Sequence, residues 1–402
     1  MNVQKDVIVA GGGPVGMVTA LALAQRDFNV TVVEADAQVD TNPRAATTHA
    51  STLEMLASIG VIDEFIAAGL TARYFDFWDR DQSRKIARFD HDLLRNDTQF
   101  PFVVQTEQHK LVRIIEAKLK SYPNVTVLRG TSVAAAEQDA NGVTVTVERD
   151  GVQEKLSGHF LVGTDGGRST VRKSLNIEFE GYTWPEQFLV LTTSFDFEKA
   201  LGSSYRAYFA GADEWCNLFK VAGDDMKGRW RAVFPAPVDV PEEVIMSDEA
   251  AQRRLNGIFR CDEEYELLHK NIYRVHQRVA ASFRKGRIFL AGDSSHVNNP
   301  IGGLGLNCGI HDALEIANTL AQATDANDPL LDRFERRRRT MNIEFVQQQT
   351  IANKKRLEEK DPAVRAKNLD DLVEIQNDPA RQHAFLMRSS LLDSVRKSQA
   401  IQ

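Results

Sequence analysis

Cysteine is scarce in this 402-residue chain: Cys216, Cys261 and Cys308 are all it has. Three scattered thiols build neither a disulfide framework nor a structural zinc site. They fit a chain working in a reducing cytoplasm, with no metal expected. No apolar run reaches the ~20 residues that a membrane-spanning helix needs. The opening Met1-Asn2-Val3-Gln4-Lys5-Asp6 passes straight into the apolar Val7-Ile8-Val9-Ala10, which leaves no place for the charged-then-apolar layout of a signal peptide. Basic tracts are also lacking, and with a formal net charge of -7 a broad surface for nucleic acid is not expected. The one exception, Arg336 to Arg339, reads as a solvated helix face. There is no internal repeat and no low-complexity segment.

What is present is ordinary globular material, 43% hydrophobic and 26% charged, in a length that favours two associated domains over one core. Val7–Ala10 reads as a strand, about Val15–Arg26 as a helix and Val30–Val33 as a second strand, together a βαβ unit. Leu53, Leu56, Ile59 and Ile62 give 51–70 helical spacing, interrupted at Gly60 and Gly69. Between Val125 and Val162 short alternating runs are separated by Asn141-Gly142 and Asp150-Gly151, dipeptides suited to tight hairpins at positive φ. From about Gly181 to Tyr273 aromatic residues recur at strand-like spacing, which predicts a mostly antiparallel sheet. A strand at Arg287–Ala291 follows, and Phe334–Gln402 reads as helical and charged, packing on the preceding domain or forming a dimer contact.

Three motifs carry chemistry. Gly11-x-Gly13-x-x-Gly16, with Pro14 and Val15 inside it, stands between strand and helix, and Glu34 ends the next strand. Glycines there allow a tight turn and close approach to a pyrophosphate, the helix N-terminus offers free N–H groups, and the acid can accept from a ribose hydroxyl. The second motif is Gly163-Thr164-Asp165-Gly166-x-x-Ser169-x-Val171-Arg172. The third runs Gly292-Asp293-Ser294-Ser295-His296, then Pro300, Gly303, Gly305, Leu306, Asn307, Gly309 and Asp312. Its aspartate can hold a sugar or ribitol hydroxyl, and its glycines let backbone approach a planar ring. His296 is most simply a residue that organises this loop.

In order and spacing the three motifs resemble the FAD-dependent aromatic hydroxylases, the family of para-hydroxybenzoate hydroxylase, over roughly residues 1–345. The resemblance implies a Rossmann-like FAD-binding domain (GR2-type) made of residues 1–75, 100–180 and 275–345. An inserted, mostly antiparallel β-sheet substrate domain would comprise 76–99 and 181–274, and C-terminal helices 346–402. It implies that Gly11, Gly13, Gly16 and Glu34 hold the ADP half of FAD, that Asp165 and Gly166 serve FAD and NAD(P)H, and that Gly292 and Asp293 hold the ribitol. Arg44, in Pro43-Arg44-Ala45, and Gln105 stand where the family contacts FAD. Ser294-Ser295 and Asn318 are small departures. No second glycine fingerprint appears, so no separate NADH or NADPH domain is expected. The flavin would instead move between inner and outer positions, with the Arg44 loop, Pro300 and Gly302–Gly305 as the mobile parts. The chain ends without the thioredoxin-like domain of some phenol hydroxylases, which favours the shorter single-component enzymes.

The implied reaction is hydroxylation of a small aromatic or heteroaromatic, phenolic compound with O2 through a C4a-hydroperoxide of the flavin. A phenol reacts better as phenolate, so a base is expected near the ring. His49, Tyr205 and Pro300 are the catalytic candidates, with His296 and Tyr208 beside them. Arg206, Arg229 and Arg231 are candidates for a substrate carboxylate, since the guanidinium fork suits that partner. Cys308 reads as a small buried residue. Two alternatives stay open: an FAD-dependent epoxidase or oxidase of a larger isoprenoid or polyketide, and a non-catalytic protein resembling the GDP-dissociation inhibitors.

Overall fold

The computed structural model describes residues 5–44 and 46–402. Met1–Gln4 and Ala45, the last residue of the Pro43-Arg44-Ala45 element, lie outside the described residues.

The apolar run Asp6–Ala10 forms a strand buried on both faces, as a central parallel strand must be. It pairs in parallel with Asn29–Glu34 on one side and Phe160–Gly163 on the other. Val125–Arg129 and Ile288–Leu290 extend the sheet outward, and Arg284–Lys285 adds a short antiparallel edge. Between the first two strands lies the helix Pro14–Ala24, with proline in its first turn where no N–H is needed. Every residue from Gly16 to Ala24 is buried, because the sheet covers one face and the helix Gly305–Gln322 another. The expected 51–70 helix is two, Ala50–Ser58 and Ile62–Ala67, since Gly60 takes φ +68° between them.

The meander is present as Ser132–Gln138, Val143–Arg149 and Val152–Gly158. Its two turns differ from one another. Asp150 and Gly151 both take positive φ, as expected, but Asn141 and Gly142 do not. At the first turn Asp139 accepts through Oδ1 from the N–H groups of Asn141 and Gly142 at 2.7 and 3.0 Å, so a side chain organises the bend instead of a left-handed backbone.

A second sheet of eight strands runs His296–Val297, Leu267–Ala280, Phe179–Thr193, Arg229–Pro237, Cys216–Val221, Arg206–Ala210, Tyr74–Asp79 and Arg84–Asp90. All its pairings are antiparallel except Arg206–Ala210 with Tyr74–Asp79. The long strands Phe179–Thr193 and Leu267–Ala280 begin and end against the nucleotide-binding body, where Ala280 donates to the Ser295 carbonyl at 2.7 Å. Two-residue alternation divides the sheet's side chains between two cores. Tyr208 and Phe75 lie on the face covered by C-terminal helices, while Ala207 and Phe209 lie on the other.

The C-terminal helices pack on this body. Leu357, Leu369, Leu372, Leu386 and Leu392 share a core with Phe75, Phe89 and Tyr208. The arginine run is not a solvated face. Arg338 is 3% exposed and Arg337 and Arg339 are half-buried. Arg337 pairs with Glu315 at 2.9 Å, and Arg339 donates to the Ala280 carbonyl at 3.1 Å. The helix stripe carries charge because its partners are buried acceptors. No helix among the described residues is long and apolar enough to cross a membrane.

Candidate active site

The three motifs converge at the C-terminal edge of the parallel sheet. Gly11 takes φ +104°, and a Cβ there would stand 2.5 Å from the Thr164 carbonyl oxygen. Thr164 returns its hydroxyl to the carbonyls of Ala10 and Gly11, both at 2.9 Å. A Cβ on Gly16 would overlap the Gly11 carbonyl, so the first and second glycines admit no side chain. Gly13 is different: a Cβ there would meet nothing within 4 Å. It caps the helix Pro14–Ala24 in extended conformation with no side-chain cap, so the first-turn N–H groups face open space. A pyrophosphate fits that combination of helix dipole, free amides and missing bulk.

Glu34 closes the same cradle. Its Oε2 accepts from Gly12 N at 2.5 Å and Oε1 from Asp36 N at 2.8 Å, which leaves further lone pairs for a ribose hydroxyl. Asp165 is turned inward, accepting from the Ser169 hydroxyl at 2.6 Å and from Val171 N at 3.0 Å. Burial raises its pKa against those hydrogen bonds. It therefore shapes its turn, with Gly166 at φ +76° beside it. Arg172 then ties the second motif to the third, donating to the carbonyls of Gly167 and Ser294, each at 2.8 Å.

Asp293 keeps solvent access, yet protein crowds it enough that burial raises its pKa, with His296 and Arg44 pulling the other way. A carboxyl with both properties lies on the floor of a cleft. Arg44, exposed and paired with Asp40 at 3.1 Å, is across from it. Gly292, at φ +60°, and Gly309 both press on Val15, where a Cβ on Gly309 would come within 2.6 Å of the valine. This contact packs the first and third motifs together. His296 is held by Asp312 at 2.8 Å, and Asp312 accepts in turn from Arg338 Nε at 2.6 Å and from Gly292 N at 3.0 Å. All three side chains are buried. Burial pushes the Asp312 carboxyl up, but Arg338 and His296 outweigh it and the net shift is downward.

Pro300 begins the glycine loop, its carbonyl accepting from Gly303 N at 2.9 Å. Asn307 fastens that loop, donating to the carbonyls of Gly303 and Thr47 at 2.6 and 2.9 Å and accepting from His49 N at 2.9 Å. Thr47 donates to Gln105 Oε1 at 2.8 Å. Gly305 and Leu306 open the helix that follows. His49 is fully buried, its Nε2 2.8 Å from the Gly302 carbonyl and its Nδ1 without a partner. Burial, then the charge of Arg206, hold its pKa well below the usual value.

Beyond Gly302 lies a cleft with about 400 Å³ of unfilled space. Phe75, Phe77, Tyr208 and Arg206 form its sheet wall, and Phe77 stacks on Tyr208 with centroids 5.2 Å apart. Arg356, Phe385 and Ser389, from the C-terminal helices, form the opposite wall. Of the sequence candidates, Arg206 and Tyr208 reach this cleft, while three do not. Tyr205 points to the other side of its strand, under Lys220 and edge-on to Trp230. Arg229 is paired with Asp225 at 2.8 Å, and Arg231 is directed toward Glu107 and the Arg44 carbonyl. Cys308 is buried, its thiol pushed up to about 12. Phe75, Phe77, Arg356 and Phe385 went unread in the sequence, because only the chain's path brings three distant segments together.

Residues 4–349 match the family described as FAD binding domain. The chain belongs to this family of FAD-dependent aromatic hydroxylases. As a member it uses FAD, so a flavin-free binding protein is no longer a reading of this chain. It is 32% identical over 397 residues to para-nitrophenol 4-monooxygenase of Pseudomonas sp. (strain WBC-3), with 96% of each chain covered. It is 34% identical over 372 residues to 6-hydroxy-3-succinoylpyridine 3-monooxygenase HspB of Pseudomonas putida (strain DSM 28022 / S16), covering 90% of this chain and 91% of that one. The crystal structure of p-nitrophenol 4-monooxygenase PnpA from Pseudomonas putida DLL-E4 superposes with a TM-score of 0.88 at 29% identity, over 96% and 97% of the two chains.

Proposed function

We propose that this FAD-dependent hydroxylase acts on a single-ring phenol or hydroxypyridine, with NADH or NADPH as reductant and O2 as co-substrate. The observation that carries the reading is the aromatic cleft lying directly against Gly302 of the glycine loop. Relatives named for a nitrophenol and a hydroxypyridine support it. A cytoplasmic site of action agrees with Cys216, Cys261 and Cys308 all being free.

In this reading Gly11, Gly13, Pro14, Val15 and Gly16 present the pyrophosphate cradle, and Glu34 takes the ribose. Gly292 and Asp293 hold the ribitol, with Arg44 opposite. Asp165 and Gly166 act as positioning residues for the adjoining turn. Pro300, Gly303, Gly305, Leu306 and Asn307 give the isoalloxazine a flat backbone surface, steadied by Gln105 through Thr47. Bound there, FAD activates O2 and transfers one oxygen atom to the ring. The rings of Phe75, Phe77 and Tyr208 sandwich the substrate and exclude water. His49, neutral and standing on the Gly302 carbonyl, is a positioning residue for the loop. The eight-stranded sheet and the C-terminal helices together make the substrate half, and the parallel sheet makes the cofactor half.

The test is the absorption spectrum of the purified protein, followed by NAD(P)H oxidation across hydroxylated benzenes and pyridines. Flavin bands, substrate-stimulated consumption of NAD(P)H with O2, and a product heavier by one oxygen atom are expected. Flavin that no single-ring compound stimulates would overturn the reading.

A further inference from the structure

We infer that the cleft is built for an aromatic acid, whose carboxylate is gripped between Arg206 of the sheet and Arg356 of a C-terminal helix. This deepens the proposed hydroxylation and rests on it.

Arg206 is 3% exposed. Its Nε donates to the Tyr208 hydroxyl at 2.9 Å, but its Nη1 is buried without a partner. No carboxylate lies within ion-pair distance of it among the described residues. The guanidinium stands instead 4.6 Å from the centroid of Phe75 and 5.4 Å from that of Tyr208. Ring faces attract a cation, yet they offer no lone pair to in-plane N–H donors. A buried guanidinium so placed lacks both an acceptor and a counter-charge.

Other buried cations of this chain are satisfied by the protein itself. Arg338 has Asp312 at 2.6 Å, Arg254 has Glu214 at 3.0 Å, and Lys354 is bonded to Glu186 and Glu358. Arg172 has two backbone carbonyls. Arg206 departs from this pattern in the wall of the cleft. Arg356 departs from it too: it lines the same cleft, and no ion pair holds it among the described residues. Burial lowers its pKa, with only the distant field of Asp371 opposing. The remaining polar groups lining the cleft, Gln349, Asn353 and Ser389, are neutral. Two cations, no anion and an aromatic wall fit a ring bearing a planar carboxylate, which a guanidinium can take through paired N–H groups.

The test uses the full FAD-loaded chain, titrated calorimetrically with hydroxybenzoates, hydroxyphenylacetates and hydroxypyridine carboxylates against their amides. Acids should bind at least about tenfold more tightly than the matching amides, roughly 1.4 kcal/mol. Arg356→Gln, at a half-buried position that spares the sheet, should remove most of that gap without moving amide affinity. Arg206→Lys, which keeps charge but loses the fork, should narrow it as well. Amides or neutral phenols that bind and are hydroxylated as well as the acids would overturn the clamp and leave the hydroxylase standing. A gap that survives both substitutions would overturn these residue assignments. Failure of every aromatic compound to stimulate NAD(P)H oxidation would overturn the hydroxylation reading and this inference with it.

Discussion

Thr164 donates its hydroxyl to the Gly11 carbonyl at 2.9 Å, while the Thr164 carbonyl occupies the space that a Gly11 side chain would need. Two motifs some 150 positions apart are thereby one structural unit, and the glycines of the fingerprint divide into two kinds. Gly11 is required by packing, whereas Gly13 faces open space.

That division is testable. Gly11→Ala should destabilise the fold by about 1–3 kcal/mol, from positive-φ strain and collision with Thr164. Gly13→Ala should leave the unfolding midpoint nearly unchanged, within about 0.5 kcal/mol, while weakening FAD retention. Thermal unfolding and the flavin-to-protein absorbance ratio of the two variants separate the cases. A Gly13→Ala protein that keeps its flavin as tightly as the parent would refute the cradle.

Arg338→Met should cost about 3–5 kcal/mol, because it strands the Asp312 carboxylate in the core with His296 alone. Urea midpoints of the variant and parent give the figure. Since the folded pKa of Asp312 lies below its unfolded value, its contribution is present above about pH 4 and is lost as pH falls through the folded pKa. The difference between variant and parent should therefore shrink in acid.

A wider pH effect comes from buried neutral histidines. Burial, then Arg206, lower His91 from 6.5 to about 4, and burial, then Arg338, lower His311 to about 3. Below pH 6.5 the unfolded chain binds protons that the native state refuses. Stability should be full above that pH and fall as pH drops, by about 3 kcal/mol from His91 alone at pH 4. Urea midpoints at pH 7.5, 6 and 5 measure the slope. His91→Phe should flatten it, and an unchanged slope would show that His91 titrates normally.

Tyr205→Phe and Tyr208→Phe should behave differently although the two residues are near neighbours in sequence. Tyr205 lies on the far side of the strand, so its variant should keep kcat and KM within about twofold. Tyr208 supplies the hydroxyl that accepts from Arg206 Nε, and losing it frees the guanidinium, about 1–2 kcal/mol of substrate binding. A raised KM confined to Tyr208→Phe is the expected result. Equal effects would place both rings at the substrate.

The cofactor half was legible because its signals are local. Gly11, Gly13, Gly16 and Glu34 sit within one βαβ unit, and the Asp165 and Asp293 turns each follow a strand directly, so short-range spacing carries the chemistry. The choice among Arg206, Arg229 and Arg231 was not local. It depended on which face of the strand each side chain takes and on whether a carboxylate comes to meet it, as Asp225 meets Arg229. The arginine run 336–339 misled for the same reason, since a charged stripe looks solvated until a buried Asp312 arrives from another helix.

The sequence by itself determined that the chain has a dinucleotide cradle, a flavin-type motif order and an aromatic-rich inserted sheet. Only the tertiary structure decided where the substrate sits. The cleft is assembled from strands at 74–79 and 206–210, a loop at 301–302 and helices beyond 348. Such a surface has no period and no motif. It exists only once apolar burial has folded the C-terminal helices over one face of the sheet and left two guanidinium groups facing the space between.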